Sequence, residues 1–309
     1  MYIYQGIESF KPVKNAVVTV GTFDGVHSGH KEIFKKMMED ARAMNGETVA
    51  ITFYPHPRLV IHPDSKNLKF ITTQSRKYEL IESAGIEHLI VIPFTRKFSN
   101  LSSADFVKEY LVDKVDTRKL IVGYDHHFGK DRLGGYKDLM GLGSIHGFEV
   151  EEVPVKMIDG TAVSSTKIRK ALTEGDLRLA NLLLGYEYSI TGKVVYGNRI
   201  GRAIGFPTAN IEVDDEYKLI SAIGVYACKV EWIGRMFKGM GNIGYRPTID
   251  KGALTIEVHI FDFDQEIYGD TITIFFIERT RDEVKFENLS ALRDQLILDR
   301  VKVLEILRP

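Results

Sequence analysis

Two histidines three positions apart, His27 and His30, close the run Gly21-Thr22-Phe23-Asp24-Gly25-Val26-His27-Ser28-Gly29-His30. The run leaves a short apolar segment and opens an amphipathic one. That context is the carboxyl edge of a parallel sheet, where a glycine-rich turn lets backbone approach a ligand and a helix start offers free N–H groups to phosphate. Around Gly29 both rings can point at one anion, donating hydrogen bonds and, if protonated, charge to a leaving group. The spacing also suits a metal pair. Zinc normally takes at least three protein ligands, and neither a cysteine nor a third histidine at ligand spacing accompanies this pair. Two helix-start histidines satisfied by local hydrogen bonds remain the plain alternative.

Three further segments carry oxygen or cationic groups. Val163-Ser164-Ser165-Thr166-Lys167-Ile168-Arg169 sets consecutive hydroxyls before a helix whose N–H groups also suit phosphate, with the planar fork of Arg169 one turn in. Val122-Gly123-Tyr124-Asp125-His126-His127-Phe128-Gly129 follows the fourth strand and sets Asp125 at the same sheet edge, as a site residue or as an ordinary turn aspartate. In Gly201-Arg202-Ala203-Ile204-Gly205-Phe206-Pro207-Thr208-Ala209-Asn210, glycines and a rigid Pro-Thr turn can wrap phosphates, although no Walker loop is present. Thr208 and Asn210 alternate along a strand-like step, so both can offer oxygen to magnesium, or can simply cap the turn. Glu257, in Leu254-Thr255-Ile256-Glu257-Val258-His259-Ile260, shares a face with Thr255 and His259. It is either a general base or a solvated carboxylate, and spacing alone favours the latter. Asp262 and Asp264 could form a metal pair, but read more readily as turn acids before Gly269.

The elements that must position these groups follow from periodicity. Ala16 to Val20, Thr48 to Phe53, His88 to Ile92, Lys119 to Gly123 and Glu149 to Val153 are β-branched and apolar on both faces, as a parallel sheet covered by helices requires. Ile33, Phe34, Met37, Met38 and Ala41 recur at helical spacing, with Gly46 as the expected stop. Ser102 and Asp105 form a capping arrangement ahead of Phe106, Val107, Tyr110 and Leu111. After Tyr186 the pattern becomes strands, at Tyr188 to Tyr196, Gly224 to Trp232, Leu254 to Phe261 and Asp270 to Ile277, separated by glycine-rich turns. A final helix from Asn288 to Leu307 sets Leu289, Leu292, Leu296, Val303 and Leu307 on one side. The expectation is an α/β domain over residues 1–185 and a β-barrel domain with a C-terminal helix over residues 186–309.

Composition narrows the partners. The 309 residues are 44% hydrophobic and 27% charged, enough for two cores. With 41 basic and 42 acidic residues the net charge is -1, so no global field favours nucleic acid or an anionic membrane. Cys228 is the one cysteine, which excludes an intrachain disulfide. The first segment carries Glu8 and Lys11 without an apolar block, and no run approaches the roughly 18 residues of a membrane span. A cytoplasmic location is the expectation; the oligomeric state is open.

Taken together, the first motifs resemble the HxGH nucleotidylyltransferases, specifically the adenylyltransferase half of prokaryotic bifunctional riboflavin kinase/FMN adenylyltransferases, or FAD synthetases. The resemblance rests on G-x-F-D-G-x-H-x-G-H, G-x-D-x-x-F-G and S-S-T-x-I-R in that order. It implies a Rossmann-like domain that converts ATP and FMN to FAD and pyrophosphate. His27 and His30 would contact ATP phosphates, and Ser164, Ser165, Thr166 and Arg169 would hold the same triphosphate. Gly21, Phe23, Asp24 and Gly29 would line the nucleotide, with Asp125 beside nucleotide or flavin. Two departures stand out: Tyr54 where many relatives carry aspartate, and His126 with His127 at positions often aromatic and basic.

The second half is similar to the riboflavin kinase module through G-R-x-x-G-F-P-T-A-N, G-N-I-G-x-R-P-T, F-D-F-D-x-x-I-Y-G and R-D-E-x-K-F. That resemblance implies a six-stranded antiparallel barrel transferring the γ-phosphoryl group of ATP to riboflavin. Glu257 would be the catalytic base, Gly201, Thr208 and Asn210 nucleotide ligands, Thr208 and Asn210 also the Mg²⁺ ligands, and Arg281 and Glu283 neighbours of the flavin. Mg²⁺ enters with ATP, and no tightly bound cofactor is required. The implied partners are ATP, riboflavin and FMN, with neither nucleic acid nor membrane. Rival readings are an enzyme retaining one activity, or a non-catalytic flavin-binding regulator.

Overall fold

Six strands pair into one parallel sheet whose inner strands are largely buried; the edge segment Glu149 to Val153, expected to be apolar on both faces, is not, with Glu149 and Glu152 exposed. The computed structural model describes residues 1–62, 68–124, 135–197, 200–245 and 254–308. Strands β1 (Tyr2–Gln5), β2 (Ala16–Val20), β3 (Thr48–Tyr54), β4 (His88–Pro93), β5 (Thr117–Gly123) and β6 (Glu149–Val153) run in the order β1-β4-β3-β2-β5-β6. Every neighbouring pair is parallel. β2 is buried at every position, and β4 at all but its last. β1 was not anticipated, because a largely exposed edge strand carries no apolar run.

The connections include helices α1 (Ser28–Met44), α2 (Pro57–Ile61), α3 (Gln74–Ser83), α4 (Arg96–Ser99), α5 (Ser103–Phe106, continued by a π-type segment to Val112) and α6 (Tyr136–His146). α1 buries Ile33, Phe34, Met37 and Ala41, the expected stripe without Met38. It stops one residue before the glycine expected to end it, since Asn45 takes the left-handed conformation at φ 50°. Gly46 instead permits close approach, because a Cβ there would overlap the Asn15 carbonyl. Ser102 caps α5 as expected, accepting from the Asp105 N–H at 3.1 Å. A short hairpin, β7 (Met157–Ile158) with β8 (Thr161–Ala162), precedes α7 (Ser165–Glu174). The chain order along the sheet reverses at β2, so a crevice opens above the carboxyl ends of β2 and β5.

The described residues divide into two compact units, Met1–Ser165 and Thr166–Pro309. The second holds most of α7, then α8 (Leu177–Leu184), β9 (Tyr188–Val195), α9 (Ile200–Ala203), β10 (Ala209–Glu212), β11 (Gly224–Trp232), β12 (Arg235–Tyr245), β13 (Leu254–Ile260), β14 (Thr271–Arg281) and α10 (Leu289–Ile306). Its six strands close into an antiparallel barrel in the order β10-β13-β12-β11-β14-β9. α8 lies against β14 and β9, where Asn181 donates to the Phe276 carbonyl at 2.8 Å and accepts from the Tyr188 N–H at 2.7 Å. α10 covers another wall: Val303 and Leu307 pack with Phe206, Val225, Ala227, Met240 and Phe261. Leu289, expected on that buried side, is exposed at the first turn. Cys228 is fully enclosed, and burial pushes its thiol far above the ordinary range.

Candidate functional site

In the first unit the Gly21 to His27 turn is held by its own sequence. Phe23 and Val26 take left-handed backbone at φ 48° and 38°, beside Gly25 at 83°. The buried Asp24 carboxylate accepts from the N–H groups of Ile71 (2.8 Å) and Thr72 (3.4 Å), and its carbonyl accepts from the Ser165 hydroxyl at 2.9 Å. Asp24 thus ties the turn to the segment before α3 and to the start of α7. Phe23 is buried against Phe34 and sets its ring edge to face with His30, 5.3 Å between centroids. Gly21 lies under that ring, and a Cβ there would come within 2.7 Å of it. At Gly29 a Cβ would lie 3.2 Å from the His27 ring.

The imidazoles of His27 and His30 stack at 3.6 Å, 13° from parallel. His27 caps α1, its Nδ1 accepting the His30 N–H at 3.3 Å. An accepting Nδ1 carries no proton, so a neutral His27 ring bears its N–H on Nε2. Nδ1 of His30 is enclosed and makes no hydrogen bond. Burial, then the neighbouring His27, then the Lys77 charge hold His30 well below the ordinary histidine range. His30 is therefore neutral near pH 7, and what it offers an anion is an N–H rather than a charge. Part of the plain alternative holds as well, since one local hydrogen bond does cap the helix.

Ser164 precedes α7 and Ser165 opens it. Thr166 and Arg169 follow on the same helix, with Arg169 Nη2 donating to Thr166 Oγ1 at 3.4 Å. Both belong to the second unit. Asp125, with His126 and His127, lies outside the described residues. Tyr54, at the end of β3, is exposed.

In the barrel, β10 pairs with β13 so that Asn210 stands opposite Glu257. Thr208 donates to Glu257 Oε2 at 3.2 Å. Thr255, Glu257 and His259 are half-buried on one face of β13, while Ile256, Val258 and Ile260 point into the core. His259 Nδ1 donates to the Pro207 carbonyl at 2.7 Å, fixing the residue before Thr208. Asn210 is buried, and Gly197 lies so close to its amide that a Cβ there would overlap it. Gly201 is equally constrained, because a Cβ there would overlap the Phe206 carbonyl. The cluster gathers a carboxylate, a hydroxyl and an amide, oxygen donors of the kind that a hard cation takes.

Arg281 forks onto Asp299 of α10, Nη2 at 2.6 Å and Nε at 2.9 and 3.1 Å from the carboxylate oxygens. Its remaining arm donates to the Asp282 carbonyl at 2.8 Å. The guanidinium thus anchors α10 to β14. The carboxylate of Glu283 lies beside Gly244 of β12. An open cleft of about 380 Å³ is lined by Ala203, Ile204, Gly205, Leu289, Ser290 and Arg293.

Residues 10–167 match the family model described as FAD synthetase, and residues 184–307 the one described as riboflavin kinase. A bifunctional riboflavin kinase/FMN adenylyltransferase from Listeria monocytogenes is 41% identical over 286 residues, 92% of this chain and 90% of its own. The chain belongs to the bifunctional riboflavin kinase/FMN adenylyltransferase family. The Escherichia coli K12 member is 32% identical over 308 residues, 99% of this chain and 97% of its own. A crystal structure described as a macrolide-efflux protein from Streptococcus pneumoniae shares the fold at a TM-score of 0.89 and 31% identity, over 98% of both chains. Like other members of the family, the protein is a transferase of flavin cofactor biosynthesis, and its substrates are ATP, riboflavin and FMN. Among the described residues no helix is long and apolar enough to cross a membrane.

The motifs did not single out Lys77, Arg293 or a role for His259. His259 had a signal, since alternation sets it on the Glu257 face. Lys77 had none, being one lysine in a polar helix start.

Proposed function

We propose that Glu257, Thr208 and Asn210 carry the kinase reaction and that His27, His30, Ser164, Ser165, Thr166 and Arg169 carry adenylyl transfer, with the functional boundary near Gly185. The single observation that bears most weight is the Thr208–Glu257 hydrogen bond beside the Asn210–Glu257 strand pair. It turns a carboxylate that spacing left as solvated into one facing the nucleotide motif. Glu257 takes the proton of the riboflavin 5'-hydroxyl as that oxygen attacks the γ-phosphorus of ATP. Thr208 and Asn210 would offer oxygens to the magnesium that accompanies ATP, and that ion would neutralise phosphate charge. Arg281 and Glu283 lie near the flavin, and the cleft beside Leu289 and Arg293 offers it space.

In adenylyl transfer the FMN phosphate is already a nucleophile, so the protein aligns it on the α-phosphorus and stabilises departing pyrophosphate. The Nε2–H of His27 and the neutral ring of His30 act as hydrogen-bond donors there, with Gly21, Phe23, Asp24 and Gly29 shaping the turn. The two family matches fall on either side of residues 168–183, which supports a boundary close to Gly185. A balanced charge and a single enclosed thiol support a cytoplasmic location. Incubating the full chain with riboflavin and Mg-ATP and resolving riboflavin, FMN and FAD by chromatography tests both halves. FMN without FAD removes the adenylyl assignment, and an unchanged flavin removes both.

A further inference from the structure

Lys77 projects from α3 to the carboxyl edge of the sheet, where β2 and β3 lie side by side. It is 6% exposed. Its Nζ donates to the Thr22 carbonyl at 3.3 Å and to the Thr52 hydroxyl at 3.4 Å, both long for a charged donor, and one N–H is left over. Among the described residues no carboxylate reaches it as an ion pair. The ionisable groups that face it are Asp24 from the turn, whose charge favours the ammonium, and His30 from α1. Asp24 directs its Oδ1 at the N–H groups of Ile71 and Thr72.

An enclosed ammonium held this loosely costs free energy, and a methionine would fill the same space without the cost. Packing alone does not account for it. A polyanion at the adjoining turn does. The stacked imidazoles lend that turn hydrogen bonds, His30 without charge, so positive charge on this side of the nucleotide must come from elsewhere.

We infer that Lys77 is a fixed cation of the adenylyl-transfer site, a positioning residue that grips the Thr22 carbonyl of the nucleotide turn and sets the local potential for the triphosphate. The inference rests on the proposal that the triphosphate lies at His27 and His30. Burial lowers the Lys77 ammonium to about 8, against the help of Asp24, so the free enzyme loses this charge in mildly alkaline solution.

The test uses the full chain and three readouts: FAD formed from FMN and ATP, FMN formed from riboflavin and ATP, and the unfolding temperature. Lys77→Met is expected to lower kcat/KM for ATP in adenylyl transfer by tenfold or more, to leave riboflavin phosphorylation within twofold, and to unfold at the same or a higher temperature. In the wild type kcat/KM for ATP should fall above pH 8, and Lys77→Arg should move that limb to higher pH. Adenylyl transfer within twofold of wild type in Lys77→Met overturns the inference. So does a lower unfolding temperature, the mark of a purely structural lysine, and so does a wild-type profile flat to pH 9.5. The last result decides the matter even if Lys77→Met does not fold. His30→Gln separates the two claims: intact FAD formation there removes the triphosphate placement itself.

Discussion

The hydroxyl of Thr208 donates to Glu257 Oε2 at 3.2 Å, joining the turn that precedes β10 to the middle of β13. A carboxylate that accepts one hydrogen bond on a half-buried face keeps its other oxygen for a substrate proton. Glu257→Gln preserves shape and the bond from Thr208 but cannot take a proton. Riboflavin phosphorylation is expected to fall by on the order of a hundredfold or more, with FMN adenylylation unchanged. Equal losses in both activities would place Glu257 outside the kinase step.

His259 anchors the same turn from its other side through the Pro207 carbonyl. His259→Leu removes that carbonyl's protein donor, at a cost of about 0.5 to 1.5 kcal/mol because Pro207 is exposed to water. A turn that supplies ligands for ATP should then show a several-fold rise in KM for ATP, with kcat less affected. His259→Asn, which retains a donor N–H, should recover part of it. Steady-state kinetics with varied ATP checks this, and an unchanged KM in His259→Leu removes the anchoring role.

The low proton affinity of His30 predicts a stability profile. Its folded-state pKa lies below the unfolded value, so its contribution is present above about pH 6.5 and is lost as pH falls toward the folded value. Acidification from pH 7 to pH 5 should lower the unfolding temperature of the first unit, with this one group adding at most about 1.4 kcal/mol per pH unit. His30→Gln should flatten part of that slope. Thermal melts across this range give the answer, and identical slopes for the two proteins would contradict it.

Asp299 is buried on α10 beneath the Arg281 fork, and Gln295 donates to the same carboxylate at 2.9 Å. Asp299→Ala strands a guanidinium and should destabilise the barrel by about 3 kcal/mol or more. Calorimetry should show the barrel transition moving down with the first unit's transition in place.

Legibility followed the packing. β2 and β4 were readable because both of their faces are buried, which forces an unbroken apolar run. β12 was missed as a strand because Gly239, Gly241 and Gly244 interrupt its pattern. Two of those glycines answer to the third dimension: a Cβ at Gly239 would lie 3.1 Å from the His259 carbonyl, and one at Gly244 would overlap Glu283. β10 has four residues, too few for periodicity to register. The turn at His27 was legible as a phosphate-facing motif, whereas the neutrality of His30 depends on how deeply the ring is enclosed, which no spacing encodes. Glu257 stayed ambiguous for a related reason. Alternation assigns it a face, and only the register between β10 and β13 shows that Thr208 and Asn210 share that neighbourhood. Arg281 stands in a motif that implies flavin, and its bond to Asp299, 18 positions away on another element, has no signal in the sequence.

The chain's one thiol, Cys228, is walled inside the barrel and strongly reluctant to ionise. Alkylating reagents act on thiolates, so the native protein should remain unmodified by maleimides for as long as the barrel is closed. A cysteine introduced on either unit can then carry a spectroscopic probe without removal of the natural one, and a slow gain of label at Cys228 itself becomes a clock for opening of the barrel.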